Sequence, residues 1–187
     1  MNKSLMPTVE GYVKHTIELD KLESELMQIE RQLLEAKKSR IFAYNKGEST
    51  KLRNLDEVIK ELTLRKKDTT ELFEETCKNQ FYMYSTYTNA SSTLSIFELE
   101  ELIETIKSKI VSINLESNRL EERKMQLFGL ANTASDIETA KKCRELSSKC
   151  HSKIVDLAMK TTVYSKVKED ITEILKKKQE ESTPQMR

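Results

Sequence analysis

The stretch from Ile96 to Ala134 constrains the fold of this chain more than any other. Alternating steps of three and four residues select Ile96, Leu99, Ile103, Ile106, Ile110, Ile113, Ser117, Leu120, Lys124, Leu127, Ala131 and Ala134. All but Ser117 and Lys124 are Ile, Leu or Ala, while the residues between them are largely Glu, Lys, Arg, Ser and Asn. An apolar period of about 3.5 residues sustained this long draws one narrow stripe along a helix. It predicts left-handed supercoiling of that helix against a partner helix.

Composition extends the same expectation to the whole chain. Of 187 residues, 34% are charged, and only 3 Gly and 2 Pro are available to reverse the chain. A chain rich in Glu, Lys, Leu, Arg and Ile, with few turn residues, forms long helices and coiled coils. The expected fold is all-α, built from long antiparallel helical hairpins in an elongated coiled coil.

Pro7 stands ahead of the first pattern, with Thr8 placed to cap it. The rhythm then runs through Tyr12, His15, Leu19, Leu22, Leu26, Ile29, Leu33, Ala36, Arg40 and Ala43. Val13, Met27, Leu34 and Ile41 lie one position beyond stripe residues and widen the apolar face sideways, which implies more than one neighbouring helix. Gly47 is placed to end this helix in the left-handed conformation, and Ser49 or Thr50 to cap the next. So short a connection favours an antiparallel hairpin.

Leu52, Leu55, Ile59 and Leu62 continue in register, but Arg65 to Glu71 contains no apolar side chain. Asp68 and Glu71 have capping-box spacing, so the helix either breaks and restarts there, the favoured reading, or crosses an exposed gap between two contacts. An aromatic cluster follows, with Phe81, Tyr82, Tyr84 and Tyr87 within seven residues. It either plugs the end of a bundle or docks a partner, since Tyr is enriched at interface hot spots. The polar run from Thr88 to Ser92 is the best internal boundary. Ser95 and Glu98 form a second capping box at the start of the organising helix, and Ser135 and Glu138 a third. Gly129 to Ser135 marks a turn or kink, after which the stripe shifts phase to Ala140, Cys143, Ser147, Cys150, Ile154 and Leu157. The expected organisation is an N-terminal extension over 1–7, a first hairpin over 8–87, a polar linker over 88–95, a second hairpin over 96–178, and a disordered tail over 179–187.

Chemistry finds no home in this pattern. His15 falls on a heptad stripe, where packing is the ordinary role. Cys143 and Cys150 lie seven residues, about 10 Å, apart along one face, too far for a disulfide. His151 points about 100° away from Cys150, which disfavours a shared metal. Three glycines cannot build a phosphate-cradling loop. No catalytic residue, cofactor or metal is expected, and the chain is not expected to be an enzyme.

Charge narrows the partners. Lys plus Arg number 32 against 31 Asp plus Glu, so the global basic excess that nucleic-acid or anionic-membrane binding calls for is missing. The local cluster Lys141, Lys142, Arg144 and Lys149 keeps a nucleic-acid patch as an alternative, and a peripheral membrane-surface module is another. No run approaches the roughly 20 apolar residues of a membrane span. An odd count of three cysteines suits a reducing compartment, cytoplasm or nucleus. The stretch from Leu120 to Phe128 resembles a helix in the seventh subunit of the THO mRNA-export complex family. Many unrelated coiled coils share such charged heptads, and no residue role follows from the likeness.

The expected function is a non-catalytic scaffold or adaptor subunit that pairs with one or more coiled-coil proteins, as a hetero- or homo-oligomer. The expected partner-binding seams are Leu19, Leu22, Leu26, Ile29 and Leu33 in the first hairpin, and Ile96, Leu99, Ile103, Ile106, Ile110 and Ile113 in the second. Phe81, Tyr82, Tyr84 and Tyr87 form the possible docking patch.

Overall fold

The structure, a computed structural model, describes residues 5–182. Four helices account for nearly all of them: α1 Met6–Asn45, α2 Ser49–Thr93, α3 Ile96–Thr133 and α4 Ile137–Ser182. No strand occurs among the described residues. The fold is all-α, and α1 packs on α2 and α3 on α4 as helical hairpins.

Each turn has a local cause. At the end of α1, Gly47 takes φ +68°. Its amide donates to the Tyr44 carbonyl at 3.1 Å, and the Glu48 amide donates to Ala43 at 3.0 Å. This paired closure satisfies carbonyls that the helix end would otherwise orphan. Between α2 and α3 only Leu94 and Ser95 are non-helical. The Ser95 amide donates to Glu98 Oε2 at 2.9 Å and the Glu98 amide to Ser95 Oγ at 3.3 Å, so the expected capping box forms. These bonds to Ser95 hold the Glu98 carboxyl below its usual range. At α4 the cap is Asp136, whose carboxylate accepts from the Thr139 amide at 2.7 Å, one residue later than the box expected at Ser135.

Several expected interruptions are absent. α2 passes unbroken through Arg65 to Glu71. There Arg65 reaches Glu25 and Lys66 reaches Glu30 on α1, while the short side chain of Thr69 fills the buried position. Over those two turns the contact with the facing helix consists of these exposed ion pairs and one small buried side chain. The linker expected over 88–95 shrinks to two residues because packing buries Tyr87 and Ser91 and carries α2 on to Thr93, its hydroxyls bonding back into the helix. Thr88 donates to the Tyr84 carbonyl, Ser91 to Tyr87, Ser92 to Asn89 and Thr93 to Ala90. Such bonds satisfy the hydroxyls within the helix, although they add nothing to its stability. α3 runs through Gly129 to Thr133, which confines the reversal to 134–136. Residues 6 and 7 of the expected extension begin α1, and residues 179–182 of the expected tail end α4. Lys178 anchors that end by donating to the Leu94 carbonyl at 2.5 Å. Leu5, a buried turn residue, precedes α1, and residues 1–4 and 183–187 lie outside the described residues.

The described chain forms two compact units. Residues 15–82 are one, the hairpin unit; residues 5–14 together with 83–182 are the other, the bundle unit.

In the hairpin unit α1 and α2 run antiparallel. Arg40 pairs with Asp56, Lys66 with Glu30 at 2.6 Å, and Gln80 donates to Thr16 at 3.2 Å, so numbers fall on one helix as they rise on the other. The seam is thin. Ile17, Leu22, Ile29, Leu33, Ala36 and Ala43 are buried on α1, facing Thr69, Thr76 and the half-buried Leu52, Leu55, Ile59 and Leu62 on α2.

In the bundle unit four helical segments share one core. α1 supplies Val9, Tyr12 and Val13, α2 supplies Tyr87 and Ser91, α3 supplies Leu99, Leu102, Ile103 and Ile106, and α4 supplies Val163, Tyr164, Val167 and Ile171. Gly11 permits the close approach of α1 and α2, since a Cβ there would stand 3.2 Å from Met83 Sδ. Further along the α3–α4 hairpin burial thins out, and between residues 114 and 156 only Ala131 and Cys150 are buried.

Candidate partner-binding surfaces

The eleven seam residues expected from the heptads occupy the interiors of the two units. In the hairpin unit Leu22, Ile29 and Leu33 are buried and Leu19 and Leu26 half-buried. In the bundle unit Leu99, Ile103, Ile106 and Ile113 are buried and Ile96 and Ile110 half-buried. The occupant of both seams is the chain itself. Full burial of an aliphatic side chain contributes about 1.5–3 kcal/mol, so these residues hold the fold together.

The aromatic cluster divides. Tyr87 is fully buried in the bundle unit, with ring centroids 5.3 Å from both Tyr12 and Tyr84, and Tyr12 lies 5.6 Å from Tyr84. The Tyr87 hydroxyl donates to Asp170 Oδ2 on α4 at 2.9 Å. Burial first, and then this bond, push the phenol well above its ordinary value. Tyr84 lies at the edge of the trio, while Phe81 and Tyr82 are exposed in the hairpin unit. Of the four aromatic residues, Tyr87 alone is interior; Phe81, Tyr82 and, to a lesser degree, Tyr84 are exposed.

One ion pair adds to the bundle. Lys109 on α3 reaches Glu10 on α1 at 2.8 Å, and that hydrogen bond raises the lysine above its usual range.

Exposed apolar side chains, less visible in the heptad reading, mark two other surfaces. On α1 of the hairpin unit, Met27, Leu34 and Ile41 are 58%, 54% and 61% exposed. Their sequence signal was the widened face, but periodicity cannot say whether a neighbour covers it. Near the α3–α4 turn of the bundle unit, Met125, Phe128, Leu130 and Ile137 are also exposed. Beside Phe128 a shallow groove is lined by Lys124, Arg144, Ser147, Ser148 and His151.

The other candidates for chemistry stay apart. Cys77, Cys143 and Cys150 are free thiols. His15 Nδ1 is shielded from solvent and stands 3.6 Å from the Glu18 carboxylate. Among the described residues no group of three or more His, Cys, Asp or Glu could hold a metal ion. No helix of the described residues is long and apolar enough to cross a membrane. Compared with known proteins, the chain matches no family model, no curated protein and no solved structure.

Proposed function

We propose that the chain is a non-catalytic coiled-coil scaffold or adaptor subunit of a larger assembly, working through helix–helix pairing with other chains. The observation that carries this reading is the apolar surface left over once each hairpin has closed. Met27, Leu34 and Ile41 recur every seven residues on one helix yet remain more than half exposed. Met125 and Phe128, one turn apart on α3, add a second uncovered group near the α3–α4 turn. Single exposed apolar residues are ordinary, but clusters on otherwise polar helices mark contact sites. Three free thiols support a reducing compartment, and the proposal puts the assembly in the cytoplasm or nucleus.

The test is recovery of the tagged full chain from its own cells, with cross-linking and mass measurement of whatever accompanies it. A helical partner in stoichiometric amount is expected, and replacing Met125 and Phe128 with Ser should weaken its retention at least tenfold. A compact, cooperative monomer that retains no partner would sink the reading.

A further inference from the structure

We infer that the outer face of α1 from Asp20 to Ile41 pairs, antiparallel, with the same face of a second copy of this chain. The inference rests on the helix-pairing reading above and names one of the partners.

The spacing comes first. Met27, Leu34 and Ile41 stand about 10.5 Å apart along α1, on a line that the α1–α2 seam leaves uncovered. Recurrence every seven residues keeps side chains facing one partner helix as both supercoil. A flat apolar surface would not require that repeat.

The charges beside that line supply the direction and the occupant. Asp20, Glu23 and Glu30 occupy its first half, and Arg31, Lys37 and Lys38 its second half, all exposed. A parallel second copy would set acid against acid and base against base. An antiparallel copy, with its twofold axis between Glu30 and Arg31, sets Glu23 opposite Lys38 and beside Lys37, while Asp20 comes level with Ile41, one turn from Lys38. The same register brings Met27 of one copy against Leu34 of the other. The acidic and basic ends of the face are thus complementary to each other, which suits a closed twofold interface. Glu30 is already bridged to Lys66 at 2.6 Å, so the outer charges carry the selectivity. Flanking charges of this kind set partner choice and orientation in paired helices.

Sedimentation equilibrium of the full chain, from about 1 to 300 µM, spans the range expected of an interface below standard size. The wild type is expected to pass from 21.8 kDa to twice that mass with rising concentration. Raising the salt to about 1 M should weaken the dimer, because exposed charges are screened. Two variants sharpen the test. D20K/E23K makes the face wholly basic at its ends, and K37E/K38E makes it wholly acidic. Each alone should remain a monomer, and an equimolar mixture should recover the dimer mass. Leu34→Asp should also be monomeric, with helicity by circular dichroism unchanged.

A wild-type chain that stays at 21.8 kDa throughout overturns the proposal. So does a mixture of the two charge variants that fails to associate, or either variant dimerising as well as the wild type. These results bear on self-pairing alone; the adaptor reading stands or falls on what is recovered with the chain from cells.

Discussion

Val13 and Leu34 lie on the same helix, three heptads apart, at equivalent positions beside the main stripe. Val13 is 3% exposed and Leu34 54%. The difference is the number of helices around them. Val13 sits in the bundle unit, where segments of four helices share a core, and Leu34 in the hairpin unit, where one neighbour covers one side. Neighbouring residues show the same contrast. Consecutive positions on a helix point about 100° apart, so burying both requires neighbours on two sides. The bundle unit buries Tyr12 with Val13, Leu102 with Ile103, and Val163 with Tyr164. In the hairpin unit no two consecutive residues are buried. A widened apolar face is therefore core in one unit and surface in the other.

Substitutions can break or sharpen this contrast, and the largest effect is expected where the two positions themselves are exchanged for a charge. Val13→Asp buries an unpaired carboxylate and should cost about 3 kcal/mol or more. Leu34→Asp, measured in dilute protein, should change stability by no more than about 0.5 kcal/mol. Urea unfolding followed by far-ultraviolet circular dichroism separates these outcomes, and equal costs would refute the difference in cover. Next comes truncation in the two interiors. Ile106→Ala should cost about 2–5 kcal/mol, as expected for a fully buried aliphatic side chain. Leu62→Ala, in the half-buried seam of the hairpin unit, should cost roughly 1 kcal/mol.

Tyr87→Phe keeps the ring and removes the bond to Asp170, for an expected loss of about 1–2 kcal/mol. Its pH dependence has a definite sign. The folded phenol titrates above its unfolded value, so its stabilisation is complete below about pH 10 and is lost as pH rises beyond that. Alkaline unfolding of the wild type should therefore steepen above about pH 10, and Tyr87→Phe should remove that component. The smallest effect belongs to the α3 cap. Ser95→Ala should cost about 1 kcal/mol. The Glu98 carboxyl is lowered, so its contribution is present above the usual carboxylate range and lost as acid protonates it. Melting curves on either side of about pH 4 should show that loss in the wild type and a smaller one in Ser95→Ala.

The sequence by itself determined the helices, most of their ends and the lines of residues that meet. Those are local matters: the period of Ile96 to Ile113, the left-handed turn at Gly47 and the reciprocal bonds of Ser95 and Glu98 all depend on residues a few positions apart. It misled where local chemistry allowed two outcomes. Arg65 to Glu71 has the composition of a break, yet α2 runs through it with Thr69 buried and with Arg65 and Lys66 paired to Glu25 and Glu30, some forty residues away in the chain. The hydroxyls from Thr88 to Thr93 suit a linker as well as a helix, and packing around Tyr87 and Ser91 selects the helix. Tertiary structure also decided what the heptads could not express, namely how many helices surround each stripe. Apolar periodicity reports the direction in which a side chain points, and burial depends on whether another part of the chain reaches that side. Val13 is core and Leu34 is surface for that reason.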